Sequence, residues 1–536
     1  MKSLVGAGRV IWLILRRDRF LLFLWIAALA LTPLMFASAF QELYPTAEQR
    51  QAFVATSGRN PSFLLLFGPI FDSSIGALTA WRSAPVVVLV GLASLLTVIR
   101  HTRVEEETGR RELLGSTVVG RHSQLASALI VTFGANLALA ALLALGMIGM
   151  GHPPVGSIAF GLSLAAVGWV FAAVGSVTAQ LTESSAAARG IAIGALGLSY
   201  LLRAVGDVGE EGSRLSWLSW LSALGWAQRV RAYAGERWWI LALALGFVVI
   251  LVFAAMLLSS RRDVGAGVLR PRLGPAAAPP WLRGPMSLAW RLHRNTLFAW
   301  IAGFAVFGVM YGGVADNVVT LLGDSPQLRL IFERIGGTAA LVDAFFAGIM
   351  GIFALAASAY AVQAALRLRV EETALRAEPV LATSVRRLSW AAGHLIFAVI
   401  GPVVLLAVAG FTSGMTYGLI SGDLSHQLPR VLAAAMVQLP AVWVLVGISV
   451  ALFGLLPRLS AVSWGALALF LLIGQVGPVM QLSQWILDLS PFTHVPNLPG
   501  GELSMAPLAL LFGVGAGLTA AGLTGLARRD IGSGAG

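Results

Sequence analysis

The sequence predicts an all-α polytopic membrane protein, with twelve transmembrane helices in two pseudo-symmetric six-helix halves. Three observations carry that expectation. The chain of 536 residues is 57% hydrophobic and only 12% charged, with a mean hydropathy of +0.82, whereas soluble domains carry about 25% charged residues. Residues 103–123, RVEEETGRRELLGSTVVGRHS, recur without a gap at 369–389 as RVEETALRAEPVLATSVRRLS, with ten of the 21 pairs identical. Ordinary composition gives about one or two identities in such a window. Finally, WRLHRNTLFAWIA at 290–302 echoes LRRDRFLLFLWIA at 15–27, matching Arg16/Arg291, Arg19/Arg294 and Trp25/Trp300. Internal repetition on this scale means two related halves. They are expected at 1–262 and 286–536, joined by a Pro-rich cytoplasmic linker at 263–285 that reads as extended and structureless.

In chain order, Gly6 to Arg19 mixes Trp12, Leu13 and Leu15 with four arginines and suits a short helix in the cytoplasmic interface. Span 1 follows at about Phe20 to Phe40, long enough for a hydrocarbon core of about 30 Å. Gln41 to Ser83, with NPSF at 60–63, is too long for a turn and reads as an extracytoplasmic helix pair. Span 2 (Ala84 to Arg100) leads into the first charged hairpin, and span 3 (Leu125 to Met150) ends at His152-Pro153-Pro154. Spans 4 to 6 are expected at Ile158 to Gln180, Gly190 to Leu202 and Ile240 to Leu258. Between the last two, the Trp-rich stretch Gly206 to Trp239 reads as short helices dipping into the outer interface, where Trp belongs. The second half repeats the plan at Leu297 to Tyr311, Phe346 to Leu366, Trp390 to Thr412, Val431 to Leu455, Ser460 to Met480 and Pro507 to Ala527. Outer segments are expected at Val314 to Asp343 and Gln481 to Met505. Arginine clusters at 9–19, 103–121, 261–294, 367–387 and 528–529 put both termini and both hairpins in the cytoplasm of a cell-membrane protein.

Composition also excludes function classes. The net charge of +12 comes from arginines flanking apolar spans, so it does not imply a nucleic-acid partner; the partner those spans imply is the lipid bilayer. There is no cysteine, hence no disulfide or thiolate chemistry. Lys2 is the only lysine, so no P-loop exists and the chain cannot hydrolyse ATP by that route. The seven histidines show no metal-ligand spacing; His394 alone is placed within a span and is expected to be hydrogen-bonded in the interior. Gly513, Gly517, Ala521 and Gly525 follow a four-residue spacing in an apolar stretch, which is helix packing rather than a dinucleotide loop. No catalytic constellation is present. An ion-coupled secondary multidrug transporter of major-facilitator type is the alternative reading, but the twelve expected spans contain no Asp or Glu to couple an ion.

The duplicated hairpin carries the functional argument. A loop serving topology alone needs basic residues at no fixed position. Here acids, Thr117/Thr383 and Val119/Val385 recur together with the arginines, and Leu113, Leu114 and Val118 lie on one side of a short helix, offering a partner an apolar patch. In the second copy Pro379 replaces Leu113 and stands where a helix can begin, so the helix is expected to start there and the two hairpins to differ in geometry.

EETGRRELLGSTVVGR resembles the element between the second and third spans of ABC exporter permeases of the type-2 class, where acids precede a short coupling helix that docks in a cleft of the ATPase. With both halves in one chain, and with NPSF and SPFTHVPNLPGG outside, the sequence is most similar to fused permeases of polyketide-antibiotic exporters of the tetronasin-resistance type. The resemblance covers essentially the whole chain and departs from the pattern at Pro379. It implies a non-catalytic membrane subunit with no cofactor of its own, served by two identical ATPase subunits that hold ATP and Mg²⁺. It implies ATPase coupling through Glu105, Glu106, Arg110, Glu112, Thr117 and Arg121, and through Glu371, Glu372, Arg376, Glu378, Thr383 and Arg387. It further implies a substrate cavity between the halves, for which Tyr200, Tyr360, Gln363, Trp464 and Gln475 are candidates.

Overall fold

The computed structural model describes residues 4–58, 61–115, 118–208, 215–269, 277–323, 337–476 and 483–530. All regular structure among them is helical, and the chain forms two compact units, residues 1–274 and 275–536.

In the first unit α1 (Ala7–Leu43) is one helix of 37 residues, about 55 Å long at 1.5 Å per residue. The interfacial helix and span 1 expected separately are therefore continuous. The polar residue that could have broken the helix, Asp18, is buried and satisfied by His101 (2.7 Å) and Arg100 (3.0 Å). The expected outer helix pair is three short helices, α2 (Ala47–Ser57), α3 (Pro61–Phe67) and α4 (Ile75–Arg82). Thr46 starts α2 with a capping box to Gln49, and Ser74 caps α4. Phe40, Phe67, Leu78 and Trp81 pack together beneath them with Tyr44, Phe53 and Phe63, and Asn60 of NPSF lies outside the described residues.

α5 (Ala84–Ile99) runs through a π-helical turn, Arg100–Val104, into α6 (Glu105–Glu107) and then the short α7 (Arg110–Gly115). α8 (Ser123–Gly149), α9 (Pro154–Leu181) and α10 (Ser185–Val208) follow. Small residues let them close up: a Cβ on Gly161 would stand 2.4 Å from the Ala140 carbonyl, and one on Gly91 2.8 Å from the Phe171 ring. A 3₁₀ turn (Ser216–Leu221) and α11 (Ala223–Arg229) precede α12 (Trp238–Ser260). Their arginines, awkward for an outer loop, are used internally. Arg203 donates to the Leu65 carbonyl at 2.7 Å, and Asp207 lies 3.8 Å from Arg203 and 3.6 Å from Arg229. The linker is ordered where it begins: Val268 and Leu269 donate their amides to the Gln180 and Leu181 carbonyls (3.0 and 2.9 Å), so residues 263–269 belong to the first unit rather than to a structureless tether. Residues 270–276 lie outside the described residues.

The second unit repeats the order with α13 (Pro285–Gly323), α14 (Gly337–Ala365), α15 (Arg367–Thr373), α16 (Ala377–Leu381), α17 (Arg387–Ser421), α18 (Leu424–Met436), α19 (Leu439–Leu455), α20 (Val462–Val476), α21 (Gln484–Leu487) and α22 (Met505–Arg528). Among the described residues eleven helices are long and apolar enough to cross a membrane. The expected eleventh span, Ser460 to Met480, is represented by α20 over Val462–Val476, and residues 477–480 lie outside the described residues. The seam between α19 and α22 is lined by glycine. A Cβ on Gly454 would meet the Gly522 carbonyl and one on Gly447 the Gly515 carbonyl at 2.6 Å, whereas Gly513 and Gly517 have no neighbour within 4 Å. The packing stripe thus runs through Gly515, Gly522 and Gly525, two residues off the expected register at its start.

Because the helices outrun the expected spans, acids enter their ends. Asp18, Asp207 and Asp343 do so, and each meets a basic partner; Arg430 grips Asp343 with bonds of 2.7 and 2.9 Å.

Candidate functional site

Both charged hairpins are built on the same backbone. After the two acids the chain reverses at a residue with positive φ, Gly109 at +72° and its repeat mate Leu375 at +57°. The Gly109 amide donates to the Glu106 carbonyl at 3.0 Å, and the Leu375 amide to the Glu372 carbonyl at 3.0 Å. A short helix follows in each. In the second copy it starts at Ala377, two residues before Pro379, contrary to the expected start at the proline. Pro379 occupies the first turn, whose amides have no partner within the helix, so its missing N–H costs nothing there.

The acids point inward. Glu106 is buried with Arg103 at 2.9 Å, with Arg111 in contact, and with Arg262 donating to both its oxygens at 2.7 and 2.9 Å. Arg262 also donates to the Gln180 side chain at 2.8 Å. Arg103 reaches past Glu106 to the Ala179, Gly265 and Ala266 carbonyls. Burial pulls the guanidiniums of Arg111 and Arg262 down to about 10, still protonated near neutral pH, so the cluster remains a network of charged groups. Glu105 takes Arg17 of α1 and, at 3.5 Å, Arg110.

In the second hairpin Glu372 is gripped by Arg529, which donates to both its oxygens at 2.6 and 2.8 Å. Glu371 pairs with Arg367 at 2.7 Å and Arg376 at 3.7 Å. The repeat-mate pairs Glu105/Arg110 and Glu371/Arg376 therefore close both hairpins alike. Arg121 donates to the Arg262 carbonyl at 2.9 Å and Arg387 to the Arg529 carbonyl at 2.7 Å. In each half, then, the second acid and the closing arginine hold the arginine that follows the last long helix. Sequence reasoning missed Arg262 and Arg529; the signal was the arginine doublet at the end of each half, 261–262 and 528–529.

Of the other expected coupling residues, Arg110, Glu112, Arg376, Glu378 and Thr383 are exposed, and so is Val118. Thr117 lies outside the described residues. What each hairpin offers to the outside is thus the short helix and the residues around it, not the paired acids.

The chain is 42% identical over 528 residues, 98% of its length and 95% of the relative's, to the multidrug efflux system permease protein Rv1217c of Mycobacterium tuberculosis (strain ATCC 25618 / H37Rv). The chain belongs to this family of multidrug efflux permeases. Residues 282–526 also match the family described as multidrug efflux system permease Rv1217c, C-terminal domain.

Of the five cavity candidates, Tyr200 belongs to the first unit of the permease and the other four to the second. Tyr200 stacks under Arg203 and donates to the Leu65 carbonyl at 3.4 Å, tied to the outer layer of the first unit. Tyr360 is buried in the core of the second unit against Trp300. Gln363 is exposed and accepts from the Trp300 indole at 3.2 Å, and Trp464 is 43% exposed on α20. The side chain of Gln475 lies outside the described residues. Of the histidines, His394 is interior and hydrogen-bonded, as expected, but its partner is a second histidine, His293, at 3.0 Å. His101, expected in a loop, is buried against Asp18.

Proposed function

We propose that this permease is the transmembrane subunit of an ATP-driven ABC exporter that extrudes lipophilic drugs or antibiotics, polyketide-like compounds among them. The duplicated hairpin carries the reading. It presents an exposed polar helix end twice in one chain, and each copy is tied to the last long helix of its half by buried ion pairs, as a lever receiving force from a soluble partner requires. The relative's being a multidrug efflux system permease supports that class of cargo.

On this reading two identical ATPase subunits dock at the cytoplasmic hairpins through Arg110, Glu112 and Thr117 and through Arg376, Glu378 and Thr383. They hold the ATP and Mg²⁺, since Lys2 alone leaves this chain no P-loop. The residues expected to meet the substrate are Gln363 and Trp464, which are exposed, rather than Tyr200 and Tyr360, which are already used in packing. An ion-coupled carrier would need an acid that exchanges protons in the membrane. Asp18, Asp207, Asp343 and Glu372, near helix ends, are instead engaged by arginine or histidine.

The test is the energy source. Reconstituted in vesicles with its ATPase subunit, the permease should export a lipophilic dye on addition of ATP and Mg²⁺, and an uncoupler should not stop it. Export driven by an imposed proton gradient without the ATPase would overturn the reading.

A further inference from the structure

The acids that the sequence offers as a docking surface end, in both halves, on the same element. Arg262 lies two residues beyond α12 and Arg529 one residue beyond α22. Each is held twice. Its guanidinium takes both oxygens of the hairpin's second acid, at 2.7 and 2.9 Å for Glu106 and at 2.6 and 2.8 Å for Glu372. Its carbonyl accepts from the hairpin's closing arginine, Arg121 at 2.9 Å or Arg387 at 2.7 Å. Bidentate, charge-assisted pairing fixes orientation as well as distance, and a second tie at the main chain removes the remaining rotation.

We infer that Glu106/Arg262 and Glu372/Arg529 are the joints through which each hairpin moves the last span of its half. Glu106 and Glu372 are then positioning residues inside the permease rather than contacts for the ATPase. The inference rests on the proposed function and specifies which helix receives the stroke. Each hairpin is covalently continuous with the spans before and after it, so their motion needs no added contact. The last span is reached only by folding back, across 156 residues in the first half and 157 in the second. The joint adds an oriented, charged tie at the end of a span whose apolar face packs on the hairpin's flanking spans, as Ala255 does on Val98 and Leu125. It is also what the halves share: the hairpins differ at eleven of 21 positions, yet both acids and both closing arginines are kept. Burial shields the pairs from salt, so the joint holds at physiological ionic strength.

The second half gives the cleaner test, because Ala377 stands there where Arg111 crowds Glu106 in the first. The chain has no cysteine, so Thr373→Cys with Arg528→Cys, both exposed positions, places two spin labels across the joint and nowhere else. The parent should give one narrow distance distribution, unchanged when the ATPase and ATP are added. Glu372→Ala should broaden it and lower ATP-driven dye export by more than roughly tenfold, the scale set by leaving a buried charge unpaired. Affinity for the ATPase subunit should stay near that of the parent. The exchange of Glu372→Arg with Arg529→Glu should restore both the narrow distribution and export.

The joint is refuted if Glu372→Ala leaves the distribution narrow, if the exchange is no better than either single change, or if ATPase affinity falls in step with export, which would make Glu372 a docking contact. Should Glu372→Ala fail to insert, Glu372→Gln keeps the shape, removes the charge and is read in the same way. A parent chain that binds no ATPase would show the proposed function to be at fault, and the label distances would still decide the joint.

Discussion

The two hairpins share a frame and differ in how much holds it. Around Glu106 the first gathers Arg103, Arg111 and Arg262, and residues 263–269 fold back over them. α1 adds the Arg17–Glu105 and Asp18–His101 pairs. Around Glu372 the second places Arg529, with alanine at 377, and where Asp18 would recur it has His293, bonded to His394. The contact present in both is the grip on the arginine beyond the last long helix. The fold-back of residues 263–269 and the two ion pairs from α1 belong to the first. The difference separates what a working hairpin needs from what one half has added.

The largest effect should therefore come from the acid with most partners. Glu106→Ala leaves three guanidiniums around an empty buried site, and breaking such a network costs about 3–5 kcal/mol. Glu372→Ala strands Arg529, already 13% exposed along its side chain, at a cost of about 1–3 kcal/mol. Thermal unfolding of the purified chain in detergent should show the first variant clearly less stable than the second. Equal losses would mean that the additional arginines contribute nothing.

A smaller effect sharpens the comparison at the reversal. Gly109 tolerates φ of +72° freely, while Leu375 adopts +57° against the preference of a residue with a Cβ. Gly109→Leu should cost about 1 kcal/mol and Leu375→Gly should gain up to about 1 kcal/mol, since Leu375 is exposed and loses little packing. Opposite signs in the same unfolding assay are the expected outcome, and losses in both would argue that the reversal is set by side-chain contacts instead. The smallest effects belong to Arg110→Ala and Arg376→Ala. These side chains are 55% and 57% exposed, and each should shift stability by less than about 1 kcal/mol while weakening ATPase co-purification in both halves. A large stability loss at either would show that the exposed arginines are structural.

The architecture was legible because its signals are local: apolar runs fix where most spans lie, and an ungapped repeat fixes the halves. Lengths were less legible. Asp18 looks like a helix end until His101, more than eighty positions away, is known to meet it. Pro379 seemed to mark a helix start because the turn at Leu375, which sets the true start, needs a residue that sequence rules place there only as glycine. The hairpin acids were identified, but not their direction. Conserved spacing within a repeat shows that a residue matters and is silent on whether it faces a partner or the interior. Arg262 and Arg529 looked like topological charges, and only the folded chain brings them to Glu106 and Glu372.

The central claim is that one chain presents two equivalent hairpins to a soluble motor. The mass of the intact complex, measured by native mass spectrometry after mild extraction, tests it most directly. One permease chain with two ATPase subunits is the predicted composition. One ATPase per chain, or two chains with two ATPases, would contradict it, because either would leave a hairpin in every chain without its partner.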